Sequence, residues 1–312
     1  MKRFVVLMAA ALLVAGPAFA QDIARAPTPS WALTVPLEPA PAATADAPVR
    51  VLLMDQQIHF DQAGEHHYSI IRTVIQNSQG LAQANTISVG WTPPRQTVEV
   101  HTARIIRNGQ VIDLLETQSF ETLRRERNLE SAMLDGRLTA TLQPRDLRVG
   151  DILETSFTVH DNGGVLGAHR ETLESAVVPQ TVDRYRLRAT WPADMTIRAR
   201  VGEPWTSLQP RRTRDGYEIE IDERNLPPLR LPGDLPIRLQ LLRTLELTDF
   251  ADWGALSAVM APLYERAAVL EPDSPLLAEI ERIRQANSTV EGQIAAAIRL
   301  VQDDVRYLAL SM

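Results

Sequence analysis

The sequence predicts a mainly β protein, with a large antiparallel β-sandwich followed by a short α-helical segment. Three observations carry that expectation. Between Val49 and Phe250 the chain reads as short β-prone runs separated by turn dipeptides such as Gln-Gly, Pro-Pro and Asn-Gly. Several of these runs alternate apolar and charged residues, as strands with one wet face do. After Phe250 the apolar spacing changes to that of helices, and no βα alternation of the kind a doubly wound sheet needs is present.

The first twenty residues stand apart. Lys2 and Arg3 precede the apolar run FVVLMAAALLVAG, and Ala18 and Ala20 provide the small residues of a signal-peptidase site before Gln21. This pattern predicts a signal peptide over 1–20 and a periplasmic or secreted product. No later run approaches the roughly 20 apolar residues a membrane-spanning helix requires, so no transmembrane segment is expected in the mature chain. Residues 21–49, with Pro27, Pro29, Pro36, Pro39, Pro41 and Pro48, read as a Pro/Ala-rich leader with a short ordered piece around Trp31 to Val35, crossed by few contacts.

Within the β region, assigned to residues 50–250, Asn108-Gly109 is the sharpest local signal. Both residues tolerate the positive φ of a tight hairpin turn, which predicts paired strands on either side. Val98, Val100, Thr102, Arg104 and Ile106 would then share one face, although the alternation is imperfect. Residues 121–136 are dense in charge and read as a solvated excursion with helical propensity. Tyr185, Leu187 and Ala189 alternate with Arg184, Arg186 and Arg188, which predicts a half-buried strand with a wet arginine face. Tyr217, Ile219 and Ile221 repeat the device against Glu218, Glu220 and Asp222. Beyond Phe250, Asp252 is placed to cap a first helix, Ser274-Pro275 to start a second, and Ser288 with Glu291 to form the capping box of a third.

Chemistry is harder to find. With Lys2 and Arg3 removed, about 30 basic residues face 39 acidic ones, so nucleic acid is not an expected partner. There is no Cys among the 312 residues, which excludes both disulfides and a thiol nucleophile in this chain. Adjacent His66 and His67 must point to opposite faces of a strand, so they do not form a metal pair, and His59 with Asp61 or Glu65 with His67 supplies only two ligands. His101, His160 and His169 read as isolated. Trp91, Trp191 and Trp205 could stack on glycan but read first as packing residues. Asp303 and Asp304 read as solvated or arginine-paired. No catalytic, cofactor-binding or metal-binding residue is assigned, and no cofactor is expected.

Two stretches, ARIIRNGQVIDL and LQPRDLRVGDILETSF, resemble the DUF3857 domain of exported bacterial proteins. The terminal segment IAAAIRLVQDDVRYLAL, with TDFADWGALSAVMAPLY before it, resembles the entry into the transglutaminase-like, papain-fold domain that follows it there. The resemblance covers roughly residues 50–312. It implies that residues 251–312 are the first helices of a truncated transglutaminase-like α+β domain, and that a Cys-His-Asp triad would lie downstream, with the Cys in a Gly-Asp-Cys context after Tyr307. Asp303, Asp304, Arg306 and Tyr307 match scaffold positions rather than the triad. The chain itself is therefore expected to be inactive as a peptidase or acyltransferase. Two other functions remain open: a stand-alone sandwich module that binds a cell-envelope glycan or protein, and a carboxylate-based hydrolase on a sandwich fold, which would need two convergent acids in one cleft.

Overall fold

The computed structural model describes residues 23–38, 47–125, 133–230, 236, 242–304 and 309–310. Strand accounts for 40% and helix for 21% of the described residues, so the fold is mixed with β structure dominant. Among the described residues the strands are β1 (Ala24–Arg25), β2 (Val49–Phe60), β3 (Glu65–Ile75), β4 (Ile87–Trp91), β5 (Gln96–Arg107), β6 (Gln110–Asp113), β7 (Glu121–Arg124), β8 (Met133–Leu134), β9 (Leu138–Leu142), β10 (Ile152–Asp161), β11 (Glu171–Ser175) and β12 (Val182–Trp191). They continue with β13 (Arg198–Val201), β14 (Arg211–Arg212), β15 (Tyr217–Leu226), β16 (Thr244–Thr248) and β17 (Ala309–Leu310). The helices are α1 (Ser78–Ala84), α2 (Trp253–Ala267), α3 (Leu276–Ala286) and α4 (Val290–Arg299).

Nine strands form one large sheet in the order β1-β5-β10-β3-β2-β12-β15-β14, with β6 paired to β5. The expectation of a purely antiparallel sheet needs correction. β12 runs parallel to β2, and β1 runs parallel to β5. Parallel pairing needs a long crossover, and the whole stretch from β3 to β11 provides it between β2 and β12.

One face of this sheet is apolar and carries two cores. Tyr185, Leu187, Ala189, Ile219 and Ile221 pack with Leu245 and Leu247 of the β11-β16-β13 sheet. Val98, Val100, Ala103, Ile105 and Phe157 pack with Trp91, Ala140 and Leu142 of the β4-β9-β7 sheet. Trp91, Trp191 and Trp205 are all buried in these cores, which removes them as a glycan-stacking platform and bears out packing as their role.

Local signals held where they depended on near neighbours. Asn108 and Gly109 have φ of 51° and 80°, and they join β5 to β6 with Arg107 opposite Gln110. Residues 121–124 are not helical; they form β7, which pairs with β9, while 126–132 lie outside the described residues. The imperfect alternation on β5 has a cause. The register between β10 and β5 shifts at Ser156/Phe157, so that Thr102 faces Ser156 but Val100 faces Phe157, leaving His101 as the extra residue. The bulge moves the apolar phase from Val98 and Val100 to Ala103 and Ile105, and so Thr102 and Arg104 do not share the face of Val100.

Asp252 accepts from Ala255 N at 2.9 Å and caps α2 as its sequence predicts. The cap of α4 is Thr289, whose Oγ1 accepts from Gly292 N at 3.1 Å, so the Ser288–Glu291 box is displaced by one residue. These helices leave much apolar surface uncovered: Trp253 is 84% exposed, Val290 66% and Ile294 55%. No helix among the described residues is long and apolar enough to cross a membrane.

Candidate functional site

The other face of the large sheet is polar, and the alternation that buries Tyr185, Leu187 and Ala189 on one side places Arg184, Arg186 and Arg188 on the other. The sequence predicts that these arginines are wet. Arg186 and Arg188 are instead buried, because the chain after β1, residues 26–38, lies across this face as a strap. The leader is thus crossed by many contacts, contrary to its reading as a tether.

Each buried arginine first meets a carboxylate. Arg186 holds Asp55 through Nη2 at 2.6 Å and Nε at 3.0 Å, and Arg188 holds Glu218 at 2.8 Å. Glu154 is shared between Arg72 and Arg104, the latter at 2.7 Å. Burial pushes the Asp55 carboxyl above its ordinary value, against the opposing pull of Arg186 and Gln57. These acids are occupied by guanidinium groups, which is the arrangement of a structural ion-pair network rather than of acid–base catalysis.

The remaining arginine donors point at the main chain of the strap. Arg188 Nη1 donates to Trp31 O at 3.0 Å, Arg186 Nη2 to Leu33 O at 2.6 Å, and Arg72 to Val35 O at 2.6 Å and Pro36 O at 2.8 Å. Gln57 closes on Leu33 from both sides, accepting from its N–H at 2.9 Å and donating to its carbonyl at 2.7 Å. Only Ala32 and Val35 of the strap are fully buried, against Leu53, Tyr68 and Ile70.

At the Trp31 end, strand pairing builds a row that sequence spacing does not reveal. Thr190 lies opposite His59, His59 opposite His66, His66 opposite His160, and His160 opposite Thr97. Trp31 stacks on His59 with ring centroids 5.3 Å apart, and the His66 and His160 rings meet edge-on at 4.9 Å. His66 Nδ1 is 2.8 Å from His160 Nδ1, while its Nε2 is 3.0 Å from Asp61. His101, set out by the bulge, bonds Thr158 Oγ1 at 2.6 Å and Ala26 O of the strap at 3.0 Å. Burial lowers the pKa of both His59 and His101, the proximity of Asp61 and the Ala26 carbonyl notwithstanding.

The reading of His101 and His160 as isolated is therefore corrected: four histidines from four strands share this face. The missing signal was strand order, because β2, β3, β5 and β10 become neighbours only in the folded sheet. His66 and His67 do point to opposite faces. His67 lies 3.4 Å from both Glu65 and Glu174. Although burial alone would lower its pKa, those two carboxylates hold it up at about 9. His169 pairs with Asp249 at 3.0 Å and stacks on Phe250, away from the row. Among the described residues, no group of three His, Cys, Asp or Glu side chains is placed to hold a metal ion. Asp303 is exposed; the side chain of Asp304 lies outside the described residues.

A cleft of about 420 Å³ opens beside the row, lined by Trp31, His59, Arg188, Thr190 and Tyr217. A smaller one of about 180 Å³ lies at the other end of the strap, between Glu38 and Arg50, Arg184 and Arg224. The two clefts therefore lie beside Trp31 and beside Val35 to Glu38 of the strap.

The fold is similar to that of a candidate protease from Parabacteroides distasonis, with a TM-score of 0.64 at 9% identity. That similarity covers 84% of this chain and 51% of the other, so the present chain spans about half the length of the protein it matches. A likeness to native yeast LTA4 hydrolase, with a TM-score of 0.33 at 9% identity over 64% of this chain and 29% of that one, carries no argument. No curated protein matches the sequence. The model of the family described as a domain of unknown function with a solved structure, DUF3857, matches residues 61–230, more than half of the chain, and the chain belongs to that family.

Proposed function

We propose that this chain is the non-catalytic β platform of an exported, two-part protein whose second part is transglutaminase-like, and that residues 251–312 begin that second part. The observation that carries the reading is the uncovered apolar surface of α2 and α4, where Trp253, Tyr264, Val290, Ile294 and Ile298 are all half or more exposed. Soluble proteins rarely leave so many large apolar side chains unpartnered on two helices, which supports packing of these helices on further polypeptide. The similarity to about half of a longer chain described as a candidate protease supports the same reading. The segment VQDDVRYLAL, with its resemblance to the stretch before a papain-fold nucleophile, supports it independently.

In such a protein the thiolate would come from the second part, since this chain has no Cys. The role left to residues 50–250, read as a sandwich-type domain, is to position that part and whatever it acts on. The signal-like residues 1–20 support a periplasmic or secreted location for this work. Reading the coding DNA past codon 312 tests the proposal: an in-frame continuation containing Gly-Asp-Cys is expected, and a continuation lacking any Cys overturns it. The 312-residue chain should release no product from a peptide amide, and measurable hydrolysis by it would also overturn the reading. Fractionation of the producing cells should return the protein with periplasmic contents.

A further inference from the structure

We propose that the polar face of the large sheet is a receptor groove for a peptide main chain, which residues 31–36 of the chain itself occupy, entering from a turn in which Ala32 N donates to Pro29 O. The inference is independent of any second catalytic part. It rests on how the strap is held. Four consecutive or near-consecutive carbonyls, those of Trp31, Leu33, Val35 and Pro36, take their hydrogen bonds from arginine side chains. Gln57 reads both the N–H and the C=O of Leu33. Main-chain groups are common to every peptide, so this set of donors and acceptors recognises the backbone more than the side chains.

The side chains of the strap tell the same story. A segment built into a core buries large residues, whereas here Leu33 and Leu37 remain 46% and 44% exposed and only Ala32 and Val35 are enclosed. The groove therefore selects small residues at two positions three apart and tolerates others between them. Its arginines are already neutralised by Asp55, Glu154 and Glu218, so the charge of the face does not depend on the strap. Without the strap, water could satisfy the same guanidinium donors, which makes the seat exchangeable in a way an apolar core position is not.

The test uses the full chain carrying a specific protease site within residues 39–46, folded first and then cut. A fluorescein-labelled peptide with the sequence of residues 23–38 is added, and its anisotropy is followed. Saturable binding to the cut protein and none to the uncut protein is expected. A peptide N-methylated at Leu33, which lacks the N–H that Gln57 accepts, should bind at least tenfold more weakly. Replacing Ala32→Trp in the peptide should abolish binding, whereas Leu33→Ser should change it less than threefold. These changes lie in the ligand and leave the folding of the receptor untouched. Failure of the labelled peptide to exchange with the resident strap over a day, loss of the cooperative melt when the strap leaves, or equal binding of the N-methylated peptide would each overturn the proposal.

Discussion

The Nδ1 atoms of His66 and His160 lie 2.8 Å apart, so one of the two must carry a proton and the other a lone pair. Asp61 takes the far nitrogen of His66 at 3.0 Å, and Glu99 stands 3.3 Å from that of His160. The two rings act as a unit. In a double-mutant cycle, His66→Ala and His160→Ala should therefore be non-additive by about 1 kcal/mol in unfolding free energy. Strict additivity would show that the contact contributes nothing.

The histidines give stability two opposing pH dependences. His67, held at about 9 against an ordinary 6.5, binds its proton more tightly folded than unfolded. Its contribution is complete below pH 6.5 and disappears as pH rises through 9, a loss of order 2 kcal/mol. His59 and His101 are shifted the other way by burial, so the unfolded chain takes up protons first. Their contribution is complete above pH 6.5 and is lost as pH falls below it. Urea midpoints measured from pH 5 to 9.5 should decline on both sides, His67→Asn flattening the alkaline limb and His59→Asn the acid one. An alkaline limb unchanged by His67→Asn would refute the assignment.

Arg186 is the cation whose loss should matter most. Arg186→Ala leaves the Asp55 carboxylate buried with only Gln57 beside it, and it also removes the donor to Leu33 O. A destabilisation of about 3–5 kcal/mol is expected by chemical denaturation. Arg184→Ala, at a partly exposed pair with Asp222, should cost no more than about 1 kcal/mol. Equal effects of the two would contradict the burial difference.

Gly64 closes the turn between β2 and β3 at φ 156°, and a Cβ there would meet Asp161 O at 2.1 Å. Both the backbone conformation and the space require glycine. Gly64→Ala should lower stability by about 2 kcal/mol or more, and it should also disturb the adjacent Asp61–His66 contact, visible as shifted His66 ring resonances. A variant as stable as the parent would show that the turn can relax.

Ile294→Glu with Ile298→Glu alters residues that are 55% and 50% exposed. In the 312-residue chain, unfolding of the sheet should change by no more than about 0.5 kcal/mol, because neither side chain packs in the cores of the large sheet. A larger loss would mean that α4 is anchored to the sheet.

What the sequence determined by itself was whatever depends on neighbours along the chain. The alternation of Tyr185, Leu187 and Ala189 with arginines, the positive φ at Asn108-Gly109, the cap at Asp252 and the opposite facing of His66 and His67 all follow from local periodicity and turn geometry. The missing thiol follows from composition alone. Tertiary structure decided the rest, because strand order is fixed by non-local hydrogen bonds that no local pattern encodes. Only the pairing of β2, β3, β10 and β5 brings His59, His66, His160 and His101 onto one face. Only the strap turns Arg186 and Arg188 from a wet face into a buried one. The bulge beside His101 shows the boundary most clearly: its trace in the sequence is a broken alternation on β5, but the partner strand that makes it a bulge lies some fifty residues further on.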